Sequence, residues 1–144
     1  MAFIPVNFDD AQESKPASSG IYNLQITEAK EVQTGPNSKF PGSPQLRISL
    51  GFTDEPNTPN VTHFISLPHA EDEQKSANYK ALLLKRFLVH FNIPFDHSGI
   101  DTEQVCMHAI GASANTEVKL DEPDANGNVY NRLVLPRLRD EAGR

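Results

Sequence analysis

The chain has 144 residues, 38% of them hydrophobic, with a formal net charge of −6, eleven prolines and a single cysteine. That length suits one domain able to bury its own core; the lone Cys106 excludes an intrachain disulfide and fits a reducing compartment; and no apolar run reaches the length of a membrane-spanning helix. The acidity speaks against a protein that holds nucleic acid by overall charge, so a nucleic-acid partner would have to be met by locally arranged bases.

Met1 to Pro5 lacks the basic and extended apolar regions of a secretory signal, so a cytoplasmic protein is expected, and the Asn60-Val61-Thr62 sequon is not expected to be glycosylated. Residues 1–19 read as an N-terminal arm. Phe3, Ile4, Val6 and Phe8 alternate well enough to dock as a short strand, and Asp9 to Ser19 is polar and loose. Gly20 opens the first confident strand, Ile21 to about Glu31, in which Tyr22, Leu24 and Ile26 alternate with Asn23, Gln25 and Thr27. Thr34 to Pro44 is a loop rich in Gly, Pro and Ser.

The clearest strand is the second. Leu46, Ile48, Leu50 and Phe52 alternate with Gln45, Arg47, Ser49 and Gly51, which gives one buried face and one small polar face with an arginine at its middle. A third strand runs from Val61 to Leu67 and ends at Pro68. Ser76 to Phe91 has the periodicity of an amphipathic helix, with Tyr79, Leu83, Phe87 and Phe91 recurring every fourth residue and Asn92-Ile93-Pro94 as its stop. A short second helix over Thr102 to His108 is compatible with the pattern. Ala114 to Leu120 and Val129 to Leu135 read as the last two strands, joined by a segment containing the turn dipeptide Asn126-Gly127. Arg137 to Arg144 is a short mixed-charge tail.

Three strands, a helix and two strands is the order of an OB-fold, a five-stranded Greek-key barrel with one helix between strands 3 and 4, here spanning residues 20–136. A β-sandwich with a helical insertion is the competing architecture.

No constellation of catalytic residues is evident. The five histidines (63, 69, 90, 97 and 108) and Cys106 have no metal-ligand spacing, and there is no nucleophile elbow and no phosphate-binding glycine loop, so neither an enzyme, a metal nor a cofactor is expected. Cys106 reads as a small buried hydrophobe. The informative residues are bases and aromatics. Arg47 is either a solvated charge or a phosphate or base contact at the centre of a binding face. Phe64 falls on the outward face of the third strand, where it either packs under the N-terminal arm or offers a platform for a nucleobase. Lys39 and Phe40 form a second base-and-aromatic pair in the first long loop. Tyr130 and Arg132 share a face of the last strand, and Lys119 faces out of the strand before it. These residues fall on the strands and loops with which OB-folds bind oligonucleotides.

In order and spacing the chain resembles small phage-encoded single-stranded DNA-binding proteins. The matching residues are Val6-Asn7-Phe8-Asp9-Asp10, Gly20-Ile21-Tyr22, Glu28-Ala29-Lys30, Gly42, the run Lys80 to Leu88, Phe91-Asn92-Ile93-Pro94 and Gly127 to Asn131. The resemblance covers residues 6–136. It implies an OB-fold that coats single-stranded DNA, with RNA as an alternative, during phage replication or recombination in the host cytoplasm and without enzymatic activity. Further copies of the chain and phage replication or recombination proteins are the candidate protein partners, and the sequence does not give an oligomeric state. The chain departs from the pattern at its end, since Arg137 to Arg144 is not the acidic tail through which many single-strand binders recruit partners. The alternative class is a β-rich viral structural or assembly protein whose exposed faces meet other proteins.

Overall fold

Alternation of apolar and polar residues builds most of the molecule. The computed structural model describes residues 2–9, 15–36, 42–69 and 72–138. Its elements are β1 (Gly20–Gln33), β2 (Pro44–Phe52), β3 (Val61–Ser66), α1 (Gln74–His90), α2 (Thr102–Ala109), β4 (Ser113–Leu120) and β5 (Asn131–Val134). All strand pairings are antiparallel, in the order β3-β2-β1-β4-β5. The two edge strands, β3 and β5, come round into contact, so the sheet forms a nearly closed barrel of the OB type. Between β3 and β4 there are two helices rather than one.

The inward face of each strand supplies the core: Leu24 and Ile26, then Leu46, Ile48, Leu50 and Phe52, then Val61 and Ile65, then Val118 and Leu133. Burying each such side chain contributes about 1.5–3 kcal/mol. One irregularity decides the rest of the surface. In β1 the register shifts between Ile26 and Glu28, so Thr27 is an extra residue. A β-bulge of this kind exchanges the faces of everything after it. Ala29 therefore turns inward, opposite Ile48, while Glu28 and Lys30 turn out.

Helix α1 plugs one end of the barrel with Leu84, Phe87, Leu88 and Phe91, all buried. Tyr79 is not part of this stripe and is exposed. At 3.6 residues per turn each four-residue step drifts by about 40°, so a strict four-residue repeat leaves the buried face after two steps. The helix ends in a Schellman motif. Asn92 adopts φ 55°, the Asn92 N–H donates to Val89 O at 3.2 Å, and the Ile93 N–H donates to Leu88 O at 2.9 Å. At its start, Asp72 takes hydrogen bonds from Lys80 Nζ at 2.9 and 3.0 Å and from the His69 N–H at 3.0 Å, which ties the β3–α1 connection to the helix. Asp101 caps α2, its Oδ1 accepting from the N–H groups of Glu103 and Gln104. Val105 and Ala109 face the core.

Two expectations for the arm are corrected. Residues 2–9 form no strand, and Phe3, Ile4 and Phe8 lie exposed. Nearer the barrel the chain is held: Ala17 is buried, its N–H donates to Asn131 Oδ1 and its carbonyl accepts from Asn131 Nδ2, both at 2.8 Å.

His63 faces inward from β3, with its ring 6.4 Å from that of Phe87. Burial holds the pKa of His63, and that of His90 on α1, below the usual histidine value of 6.5. A histidine that resists protonation when folded binds fewer protons than it does in the unfolded chain. Stability present above pH 6.5 is therefore lost as the pH falls toward the folded-state pKa. Thermal melts should show the midpoint declining between pH 7 and pH 5, roughly the window in which an unfolded histidine gains its proton. His63→Leu should flatten that decline; an unchanged pH profile in the variant would assign the effect to other groups.

Candidate nucleic-acid interface

The period of two that buries Leu46, Ile48 and Leu50 turns Arg47 outward from β2, and the same period in β3 turns Phe64 outward between Val61 and Ile65. The register places Arg47 directly opposite Phe64, so the two share one surface as expected. Phe64 keeps 52% of its surface open, against 0% for Phe87. The arm does not bury it.

On the other side of Arg47 stands Lys30 of β1, also directly opposite and also outward. The same juxtaposition recurs on the second hairpin, where Lys119 of β4 faces Arg132 of β5 and both are exposed. Arg132 and Phe64 line one slot where the two edge strands meet. The outer surface thus carries a row across all five strands: Lys30, Arg47, Phe64, Arg132 and Lys119. Sequence reading named four of these residues but not Lys30, because the bulge at Thr27 decides which way Lys30 points.

Like charges directly opposite each other on neighbouring strands are destabilising. In this molecule a carboxylate sits at each cation pair. Glu28 Oε1 accepts from Arg47 Nη2 at 2.8 Å and lies 3.6 Å from Lys30 Nζ. The hydrogen bond from Arg47, followed by the charge of Lys30, holds the Glu28 carboxyl below its usual pKa. On the second hairpin, Asp121 Oδ1 accepts from Arg132 Nε at 2.9 Å. These pairs lie in water, which competes for both partners and keeps them weak. An incoming phosphate can therefore take the place of the carboxylate at small cost.

Tyr130 is exposed just before β5, where its carbonyl accepts from the Asp121 N–H at 3.0 Å. It stands at the foot of the β4–β5 loop, and Arg132 follows two residues later on the same outward face. That loop is shaped by Asp124, whose Oδ1 accepts from the N–H groups of Asn126 and Asn128, and by Gly127 at φ 81°. Lys39 and Phe40 lie outside the described residues.

Away from this row, Cys106 is half-buried rather than buried, and burial together with the Glu31 charge pushes its thiol pKa up, away from reactivity. Among the described residues no group of three or more His, Cys, Asp or Glu is placed to hold a metal ion, and no helix is long and apolar enough to cross a membrane.

The fold and the row define a five-stranded OB-like barrel with an exposed aromatic bracketed by two cation pairs. Compared by sequence, the chain matches no protein-family model and no curated relative.

Proposed function

We propose that the protein binds single-stranded DNA, as a non-enzymatic coat for strands exposed during phage replication or recombination. The observation that carries this reading is the pair of cross-strand cation pairs, Lys30–Arg47 and Arg132–Lys119, on either side of the half-open Phe64. One carboxylate at each pair, Glu28 at the first and Asp121 at the second, does not neutralise two cations. A polyanion does: phosphates meet the cations while a base stacks on the ring. An outward phenylalanine needs unstacked bases, which favours single strands over duplex. The order and spacing of the motifs quoted above point the same way.

The test is titration of labelled poly(dT) against duplex of equal length over a range of salt. Binding to the single strand should be far tighter. The slope of log K against log salt should lie between about −2 and −4, at about −0.7 per phosphate displaced on single strands. Equal affinity for both forms would count against stacking, and a slope near zero would leave the row as solvated charges. Glu28→Gln should bind poly(dT) a few-fold more tightly than the wild type, because an amide holds Arg47 less firmly than a carboxylate does. For the same reason wild-type affinity should rise as the pH falls through the depressed Glu28 pKa, where protonation releases Arg47, and the variant should lack that rise.

A second reading is favoured by the exposed Phe3, Ile4 and Phe8, an apolar arm suited to protein contacts. It is a viral structural or assembly protein. No binding to either nucleic acid at low salt would support it.

A further inference from the structure

Where β3 and β5 meet, side chains do what hydrogen bonds do elsewhere in the barrel. The two strands are the edges of the sheet, with no ladder between them. Their junction leaves a slot of about 330 Å³ whose lining includes Phe64, Leu83, Arg86, Arg132 and Leu133. That volume is at the small end of the range for ligand pockets, roughly 300–1,000 Å³. Arg86 belongs to α1 and is part of this lining. Its Nε is buried and has no hydrogen-bond partner among the described residues.

A buried N–H donor without an acceptor is a cost the native state rarely keeps, and it marks a place where an oxygen would be welcome. Next to Arg86 in the chain is Phe87, fully buried, so the backbone that carries the guanidinium is fixed before any ligand arrives. The leucines of the slot lower the local dielectric and strengthen attraction between a guanidinium and an anion. Two arginines lining one slot suit the tetrahedral oxygens of a phosphate. Phe64, half open to solvent, belongs to the same lining.

We infer that this slot is a phosphate subsite, in which Arg86 and Arg132 hold the phosphate of the nucleotide whose base stacks on Phe64. The inference rests on the single-strand reading for the source of that phosphate. Arg132 gives up Asp121 to make the contact, whereas the Nε of Arg86 has no partner to give up.

The experiment compares the wild type with Arg86→Met, which keeps the apolar stem, and with Arg132→Gln, a change at a residue whose side chain is 54% exposed. Each is checked by thermal melt and titrated with labelled oligo(dT), thymidine monophosphate and inorganic phosphate. Arg86→Met should weaken oligo(dT) binding about tenfold and make the salt slope shallower by about 0.7, one phosphate's worth. Arg132→Gln should do the same to the slope. If Arg86→Met does not fold, Arg86→Lys, which keeps the charge and loses the fork, takes its place in the same titrations. Raising of the wild-type melting temperature by thymidine monophosphate or phosphate, but not that of Arg86→Met, would support the slot with a free phosphate as its source; an Arg86-dependent effect of oligo(dT) alone would support it with the strand as its source. Folded variants that both bind all three probes as the wild type does would overturn the slot and leave the single-strand reading standing. Arg86-dependent binding of thymidine monophosphate with no binding of oligo(dT) would do the opposite.

Discussion

Phe87→Ala is expected to lower the free energy of unfolding by about 3–5 kcal/mol, the range for removing a fully buried aromatic ring. Phe87 is 0% exposed, its ring lies 5.2 Å from that of Phe91 and 6.4 Å from that of His63, and it stands in the middle of the stripe with which α1 closes the barrel. The strands cannot easily move in to fill the space. β1 pairs with β2 on both sides of the bulge and β2 pairs with β3, and the helix is held at its far end by the Schellman motif. Against a typical net stability of about 5–15 kcal/mol, the loss would leave a marginal protein. Urea unfolding of the variant and the wild type measures it. A loss below about 1 kcal/mol would mean that α1 is not the plug that its burial indicates.

Phe64→Ala is expected to have the complementary outcome: about 1–3 kcal/mol lost from single-strand binding, with the melting temperature nearly unchanged. The two phenylalanines differ in exposure, 52% against 0%, and that difference separates a binding role from a packing role. Truncating an open ring creates no cavity, so the folded state has little to lose, whereas a base stacked on that ring loses its platform. Oligo(dT) titrations and thermal melts of the same preparation decide it. A destabilised variant that binds at wild-type affinity once folded would remove Phe64 from the interface. The binding surface would then move to the loop around Lys39 and Phe40.

The sequence made the strand faces readable wherever the period of two is unbroken. In β2 and β3 alternation alone orients Arg47 and Phe64, and pairing of the two strands then makes them neighbours. It fails at Thr27, where one extra residue exchanges the faces of β1 and hides both Lys30 and the carboxylate of Glu28 from a simple count. It fails also at Tyr79, which a four-residue repeat assigns to the core and the 3.6-residue turn carries to the surface. The last strand is shorter than its apolar pattern. Val129 and Tyr130 precede the ladder, which starts at Asn131 where that side chain is engaged with Ala17. Arg86 could not be singled out because, on a helical wheel, it is one more charged position. What sets it apart is an edge junction between two strands that are far apart in the chain.

That junction has a kinetic consequence. The β1–β2–β3 meander and the β4–β5 hairpin are each built from neighbours in sequence, and either can form early in folding. Joining them requires β1 to find β4 across most of the chain, Gln25 meeting Ser113 and Gly20 meeting Val118. Contacts of such wide separation come late, since the intervening chain must be closed before they repay its entropy. Only that last step brings Arg132 and Lys119 round to the side where Phe64 waits. A chain that has finished its first three strands holds three of the five residues of the row and only the β3 wall of the slot. On the single-strand reading proposed above, full grip on a strand would come only when folding finishes, and a growing chain still on the ribosome would lack it.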